Sequence, residues 1–168
     1  MGSNRRTAAA LAAVSVLCLA LAACDPQRIA KLEEGVATEA DVRREFGEAA
    51  AVFNAPDGSR IFEYPRQPEG QTNYFITIDA DGKMSALRQV LKPTEFARIT
   101  PGLDKAEVRR LLGKPAKTAR YDQKPDEEQW EWRWVDAQQA KLFTVTFDRD
   151  GKVLSSAIGD DQRDLHRN

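Results

Sequence analysis

The chain has 168 residues, and its 25 Lys and Arg are matched by 26 Asp and Glu, for a formal net charge of −1. That balance gives no basic footprint for nucleic acid. One histidine and two cysteines leave little material for a zinc site or a disulfide framework. The first two dozen residues stand apart from the rest. MGSNRRT carries Arg5 and Arg6, residues 8–21 are apolar except for Ser15, and the run ends in Leu21-Ala22-Ala23-Cys24. A basic start, an apolar stretch too short to span a bilayer and small residues before a cut read as a secretory signal over residues 1–23. Its removal leaves 145 residues with 23 basic and 26 acidic side chains, enough for one domain or two small ones.

The Leu-Ala-Ala-Cys ending resembles the lipobox of bacterial lipoproteins. That resemblance implies an acylated Cys24 as the new first residue, so the mature chain forms no internal disulfide. Nothing after residue 24 reads as a spanning helix, and the expected membrane attachment is the lipid alone.

The remainder says nearly the same thing twice. Val42-Arg43-Arg44 and Gly47 return as Val108-Arg109-Arg110 and Gly113; Phe62-Glu63-Tyr64 returns as Trp130-Glu131-Trp132; DADGK at 79–83 returns as DRDGK at 148–152. The anchors keep their order while their separation grows from 66 to 69 residues, as loop insertions do to a duplicated unit. Two homologous units are therefore expected, over residues 24–92 and 93–158, with residues 159–168 a charged flexible tail.

In the first unit Thr38 and Asp41 form a cap pair, Val42 and Phe46 point inward and Gly47 ends the helix. Tyr74, Ile76 and Ile78 then alternate with Phe75 and Thr77, and Asp81-Gly82 turns a hairpin into a return strand near 83–90. Earlier strands are expected near 49–53 and 60–64. In the second unit Thr94 is placed as the cap of a short helix over 95–99, stopped by Pro101-Gly102. Asp104 and Glu107 start the next helix. Ala106, Val108, Leu111 and Leu112 give its apolar stripe, Arg109 and Arg110 face outward, and Gly113 and Pro115 end it. Strands follow near 116–121 and 129–135, then Phe143, Val145 and Phe147 alternate with Thr144 and Thr146, and Asp150-Gly151 turns into a return strand near 152–158. Each unit thus reads as a short helix pair followed by a three- to four-stranded antiparallel meander, a two-layer α+β module.

Catalytic signals are sparse. His166 sits in the terminal DDQRDLHRN, where nothing orients an imidazole. No G-x-S-x-G occurs, and no second histidine offers a zinc pair. The two Asp-x-Asp-Gly-Lys stretches lack the further ligands of a calcium loop and read as hairpin turns. Glu127, Glu128 and Glu131 are close enough in sequence to be weighed as paired carboxylates for glycosidase-type work, and a solvated surface accounts for them better. No catalytic residue, metal, cofactor, nucleic acid or small-molecule substrate is expected. Trp130, Trp132 and Trp134 leave one face of a strand, as core or, for Trp134 near the strand end, as an exposed patch. Glu131 and Arg133 leave the other face. With Thr144 and Thr146 they form an open polar sheet surface, so Glu131, Arg133, Trp134, Thr144 and Thr146 are the candidate partner-binding residues.

The stretch Ile99-Thr100-Pro101-Gly102, then Glu107-Val108, Leu112-Gly113 and Pro115, the aromatic strand and the Phe147-Asp148…Asp150-Gly151-Lys152 turn resembles the SmpA/OmlA (BamE) family of bacterial lipoproteins. The match covers residues 94–158, with residues 28–91 a weaker copy carrying Ala49 where the pattern has proline. The resemblance implies a non-catalytic envelope lipoprotein that binds protein partners, barrel-assembly components of the outer membrane among them. The type member has one such domain, and a tandem pair is also similar to the β-lactamase inhibitor protein. The alternative function is accordingly a hydrolase-inhibiting binding module. By resemblance the chain is lipid-anchored and periplasm-facing, with the outer membrane favoured. Asp25 looks like an inner-membrane retention signal and Pro26 departs from it, so both membranes stay open.

Overall fold

The computed structural model describes residues 24–163, so residues 1–23, expected above to be a secretory signal and including Cys18, and His166 at the far end lie outside the described residues. Chain order is α1 (Cys24–Ile29), α2 (Glu39–Phe46), β1 (Ala51–Asn54), β2 (Arg60–Pro65), β3 (Asn73–Ile78), β4 (Met84–Gln89), α3 (Pro93–Phe96), α4 (Lys105–Leu112), β5 (Lys117–Tyr121), β6 (Lys124–Asp136), β7 (Gln139–Phe147) and β8 (Val153–Asp160). The strands form two four-stranded antiparallel sheets, each in sequential order, β1-β2-β3-β4 and β5-β6-β7-β8. The class is α+β.

The two halves repeat the same local devices. Thr38 and Asp41 close a capping box on α2, as Asp104 and Glu107 do on α4. Each helix ends on a glycine of positive φ, Gly47 at +83° and Gly113 at +76°. An aromatic side chain of the sheet then donates to that glycine's carbonyl: Tyr64 Oη to Gly47 O at 3.1 Å, Trp132 Nε1 to Gly113 O at 3.0 Å. The start of each last strand is tied to the loop before the helix, through Gly35 N–H to Met84 O (2.7 Å) in one half and Gly102 N–H to Val153 O (2.9 Å) in the other.

Two apolar clusters show how the layers stack. Val42 and Phe46 of α2 pack on Phe62, Tyr64, Tyr74, Ile76 and Ile78, one face of the first sheet. The second cluster joins Phe96, Val108 and Leu112 to Trp132, Trp134, Phe143, Val145 and Phe147 of the second sheet, and it also takes in Phe75, with Phe53 and Ile61 against it. Those last three belong to the opposite face of the first sheet, since side chains alternate along a strand. The helices of the second half therefore lie between the two sheets. The order is α1–α2, first sheet, α3–α4, second sheet.

Several expectations are corrected. The turn before α3 is capped at Lys92 with no side-chain bond, because Pro93 takes the first helical position; Thr94 is not the cap. Ala106 is exposed, and Arg109 faces inward to the first sheet. The tail begins later than residue 159: β8 runs to Asp160, Asp161 is buried, and its N–H donates to Ala140 O at 3.2 Å.

Candidate partner-binding face

The second sheet has one face on α3 and α4 and one face on which no helix lies among the described residues. Cross-strand register sets out that outer face in rows. Lys117, Glu131, Thr144 and Ala157 stand side by side on β5 to β8, and Ala119, Gln129, Thr146 and Ser155 form the row beside them. Lys117 Nζ lies 3.9 Å from Glu131 Oε2. Glu131, Thr144 and Thr146 are half-buried by their neighbours in the sheet, and Ala157 and Ser155 are exposed. The surface is a flat mixture of one ion pair, hydroxyls and methyl groups.

Two of the five candidate residues are not on it. Trp134 is 2% exposed, packed edge-on against Phe96 with ring centroids 5.0 Å apart, because its strand position points to the helices. Arg133 is 8% exposed. β5 reaches only as far as Lys117 opposite Glu131, so from residue 132 onward β6 has no strand on that side among the described residues. The side chain of Gln67, from the β2–β3 loop, takes the place of a strand there. Its Nε2 donates to Arg133 O at 2.8 Å, and its Oε1 accepts from Arg133 N–H at 3.3 Å. The Arg133 guanidinium donates to Asp161 and, at 3.3 Å each, to the carbonyls of Pro68 and Glu69. Burial pushes the Asp161 carboxyl up, but hydrogen bonds from Arg133 and from Arg163 N–H outweigh it and hold the group below its ordinary value. Arg133 thus fastens the two halves together.

A second polar cluster at the seam was not legible in the sequence. Glu63 is fully buried on the first sheet and accepts from the Arg109 guanidinium and, at 2.6 Å, from Lys114 N–H. Asn73 Nδ2 donates to Leu112 O at 2.7 Å and Lys114 O at 3.0 Å. These two side chains satisfy the backbone at the C-terminus of α4, where helix carbonyls would otherwise be orphaned. Beside them runs an open groove of about 530 Å³ lined by Ala50, Arg109, Lys114, Pro115, Lys117 and Trp130 among others. Glu131 holds on the second sheet the place that Glu63 holds on the first, both flanked by aromatic residues that face the helices.

The carboxylate group weighed for hydrolysis is dispersed by strand parity. Glu128 lies on the helix side, held by Lys105 at 3.0 Å, Arg120 at 2.8 Å and Trp130 Nε1 at 2.6 Å. Burial pushes its carboxyl up, yet these hydrogen bonds prevail and bring it down to about 2, so at neutral pH it holds no proton to donate. Glu127 pairs with Lys124 at 3.0 Å. Among the described residues no group of three or more His, Cys, Asp or Glu is arranged to hold a metal ion, and no helix is long and apolar enough to cross a membrane. At the other end, Asp25, the residue after Cys24, accepts twice from the Arg66 guanidinium (3.0 and 2.9 Å), which ties the start of the described chain to the β2–β3 loop.

No family model matches the chain, and no curated protein matches it in sequence. Among solved structures, it is similar to a putative osmotically inducible lipoprotein, OsmE, at 24% identity over 46% of this chain and 81% of that one, with a TM-score of 0.37. It is also similar to YjgB, a DUF4309 family protein from Bacillus subtilis subsp. subtilis str. 168, at 16% identity over 77% of this chain and 82% of that one, with a TM-score of 0.31.

Proposed function

We propose that this chain is a non-catalytic envelope lipoprotein, anchored through Cys24 and facing the periplasm, that works by binding a protein partner on the outer face of its second sheet. The observation that carries the reading is internal to the molecule. The first sheet presents the corresponding face, and α3 and α4 cover it; the second sheet presents Glu131, Thr144 and Thr146 with no helix over them among the described residues. A polar, half-buried face with one ion pair suits a partner that comes and goes, since obligate interfaces are more apolar. The lipid confines the chain to the bilayer surface and raises its effective concentration toward partners held there. The Leu-Ala-Ala-Cys ending and the SmpA/OmlA-like spacing support an outer-membrane site and barrel-assembly components as partners. The reading calls for no cofactor, metal, nucleic acid or small-molecule substrate.

A photo-crosslinking residue at Thr144 in the full chain tests it. Capture of a barrel-assembly component from Thr144, absent when the probe stands at exposed Asp57 in the β1–β2 turn, is expected. Cys24→Ala is expected to move the protein from the membrane to the soluble fraction. Equal capture from both positions, or a Cys24→Ala protein that stays in the membrane, would overturn the reading.

A further inference from the structure

α1 begins at Cys24 itself, so no linker separates the residue read as the lipid anchor from the fold. Asp25, the next residue, accepts one Arg66 bond on each carboxylate oxygen, and such a fork fixes direction as well as distance. Arg66 is held in turn. Its guanidinium lies 5.4 Å from the ring centre of buried Phe46, and its backbone N–H donates to Thr72 O at 3.0 Å. Farther along, Ala30 N–H donates to Pro26 O at 3.0 Å, and Ile29 and Leu32 pack against the first apolar cluster. A flexible linker at this point would leave an anchored fold free to turn; this chain is fastened instead.

The register places that fastening at one end of the whole molecule. Arg66 follows β2, whose last residue Pro65 stands opposite Asn73 at the start of β3, and Tyr74 stands opposite Gln89 at the end of β4. Asn73 reaches the C-terminus of α4, and the loop after Arg66 holds Arg133. Arg133 leads into the β6–β7 hairpin, where Asp136 faces Gln139, and Lys141 faces Asp160 at the end of β8. The four hairpin turns at 55–59, 79–83, 122–123 and 148–152 lie at the other end, with the starts of α2 and α4 beside them through the Thr38–Lys83 and Asp104–Lys152 bridges. The strands therefore run from the Cys24 end to the turn end, and β7 alone spans about 27 Å. Charge differs between the two ends as well. Those turns hold six aspartates against three cations, whereas the connections at the Cys24 end, 47–50, 66–72, 90–92, 113–116 and 137–138, hold two glutamates against three cations.

We infer that the Asp25–Arg66 pair fixes how the fold sits on the membrane: the end formed by the β2–β3 loop, the β6–β7 hairpin and the C-terminus of α4 rests on the bilayer, and the strands stand upright from it. The inference builds on the proposed lipid at Cys24. Acyl chains on the residue beside Asp25 draw this end to the headgroups, and the fork keeps the fold from tipping. Anionic lipid repels the aspartate-rich turns, which in this pose stand farthest from it. The outer face of the second sheet is then turned sideways, with Thr144 about 17 Å beyond the β6–β7 hairpin. A partner held in the same membrane meets that face from the side, without either molecule leaving the bilayer surface.

Short-range quenching from the lipid tests the pose. Acylated protein purified from membranes is reconstituted into phosphatidylcholine vesicles that carry a nitroxide on the headgroup, so that uncharged lipid isolates the fork from headgroup attraction. With Cys24 acylated and Cys18 in the segment expected to be removed, one introduced cysteine is the only free thiol and takes the fluorophore. Glu69→Cys and Gln139→Cys stand at the near end, Ala80→Cys and Asp150→Cys in the far turns, and all four positions are exposed. Quenching is expected at the first two and none at the last two. Asp25→Ala and Arg66→Ala are each expected to bring the two ends toward equal quenching, while the chain still floats with the vesicles and keeps a cooperative unfolding transition. Equal quenching at both ends of the parent, stronger quenching at the far turns, or a contrast that survives either substitution unchanged would overturn the inference. A chain that does not float with the vesicles would overturn it together with the proposed anchor, whereas a floating chain quenched alike at both ends leaves the proposed function standing.

Discussion

The two sheets are built with the same local devices and treated differently by the rest of the molecule. β3 reads NYFITI and is buried at five of its six positions, because helices cover both faces of its sheet. β7 reads QAKLFTVTF and alternates buried Phe143, Val145 and Phe147 with half-buried Leu142, Thr144 and Thr146. Ile61 and Phe75 on the covered face give way to Gln129 and Thr144 at the same places on the open one. Near-continuous apolar strands belong to sheets covered twice, and clean alternation to sheets with one wet face. Helix caps, stop glycines and hairpins settle what each half folds into. The residues of the second face settle what can lie on it.

The strongest test of that contrast sets Glu63 against Glu131. Glu63→Ala leaves the Arg109 guanidinium and Lys114 N–H without their acceptor at a buried seam, and a loss of about 3 kcal/mol is expected, in the range for breaking a buried ion pair. Glu131→Ala removes a carboxylate whose nearest cation is 3.9 Å away on a half-exposed surface, and a change within about 0.5 kcal/mol is expected. Urea unfolding of both variants beside the parent decides it. Equal losses would mean that the second face is covered as well.

Much of this was legible in the sequence. The two stop glycines, the cap pairs at Thr38/Asp41 and Asp104/Glu107, the Asp-Gly turns and the period-two strands are local signals, and each fixes structure within a few residues of itself. The seam is not local. Glu63 and Asn73 act on the end of a helix 39 to 51 positions away, and no periodicity announces such a pairing. The Arg133 side chain was misassigned for the same reason: strand parity correctly sent it away from the helices, but a loop from the first half was waiting there. Trp134 was the reverse case, where parity alone put it in the core and proximity to a strand end argued against it. The apolar Ile61 and Phe75 were the available sign that the first sheet has no wet face.

The glycines offer a finer comparison, with an intermediate effect. Gly47 and Gly113 both have positive φ, so alanine strains the backbone at either. A Cβ at Gly47 meets nothing within 4 Å, whereas one at Gly113 comes within 3.0 Å of Asn73 Nδ2 and of Glu63 Oε1. Gly47→Ala is expected to lose about 1 kcal/mol and Gly113→Ala about 3 kcal/mol, the difference being displacement of the seam. Thermal or urea midpoints measure both. If the two losses match, the seam yields freely and does not hold the halves in register.

The smallest expected effect concerns the caps, and it turns on pH. In the first half a hydroxyl faces a carboxylate: Thr38 N–H and Oγ1–H donate to Asp41 Oδ2 at 2.9 and 2.7 Å, and Arg44 adds a bond at 2.6 Å. These bonds, the Thr38 backbone N–H first, bring the Asp41 carboxyl down to about 2 from an ordinary 3.8. In the second half two carboxylates share the box, Asp104 accepting from Glu107 N–H at 2.8 Å and Glu107 from Asp104 N–H at 2.7 Å, and Lys152 Nζ stands 4.0 Å from Asp104. Because Asp41 binds its proton less readily folded than unfolded, its contribution is complete above pH 3.8 and is lost as pH falls through 2. Asp41→Asn should therefore lower stability slightly at pH 6 and leave it unchanged below pH 2. An Asp41→Asn deficit that persists unchanged at pH 2 would mean that the carboxylate acts there through shape and not charge.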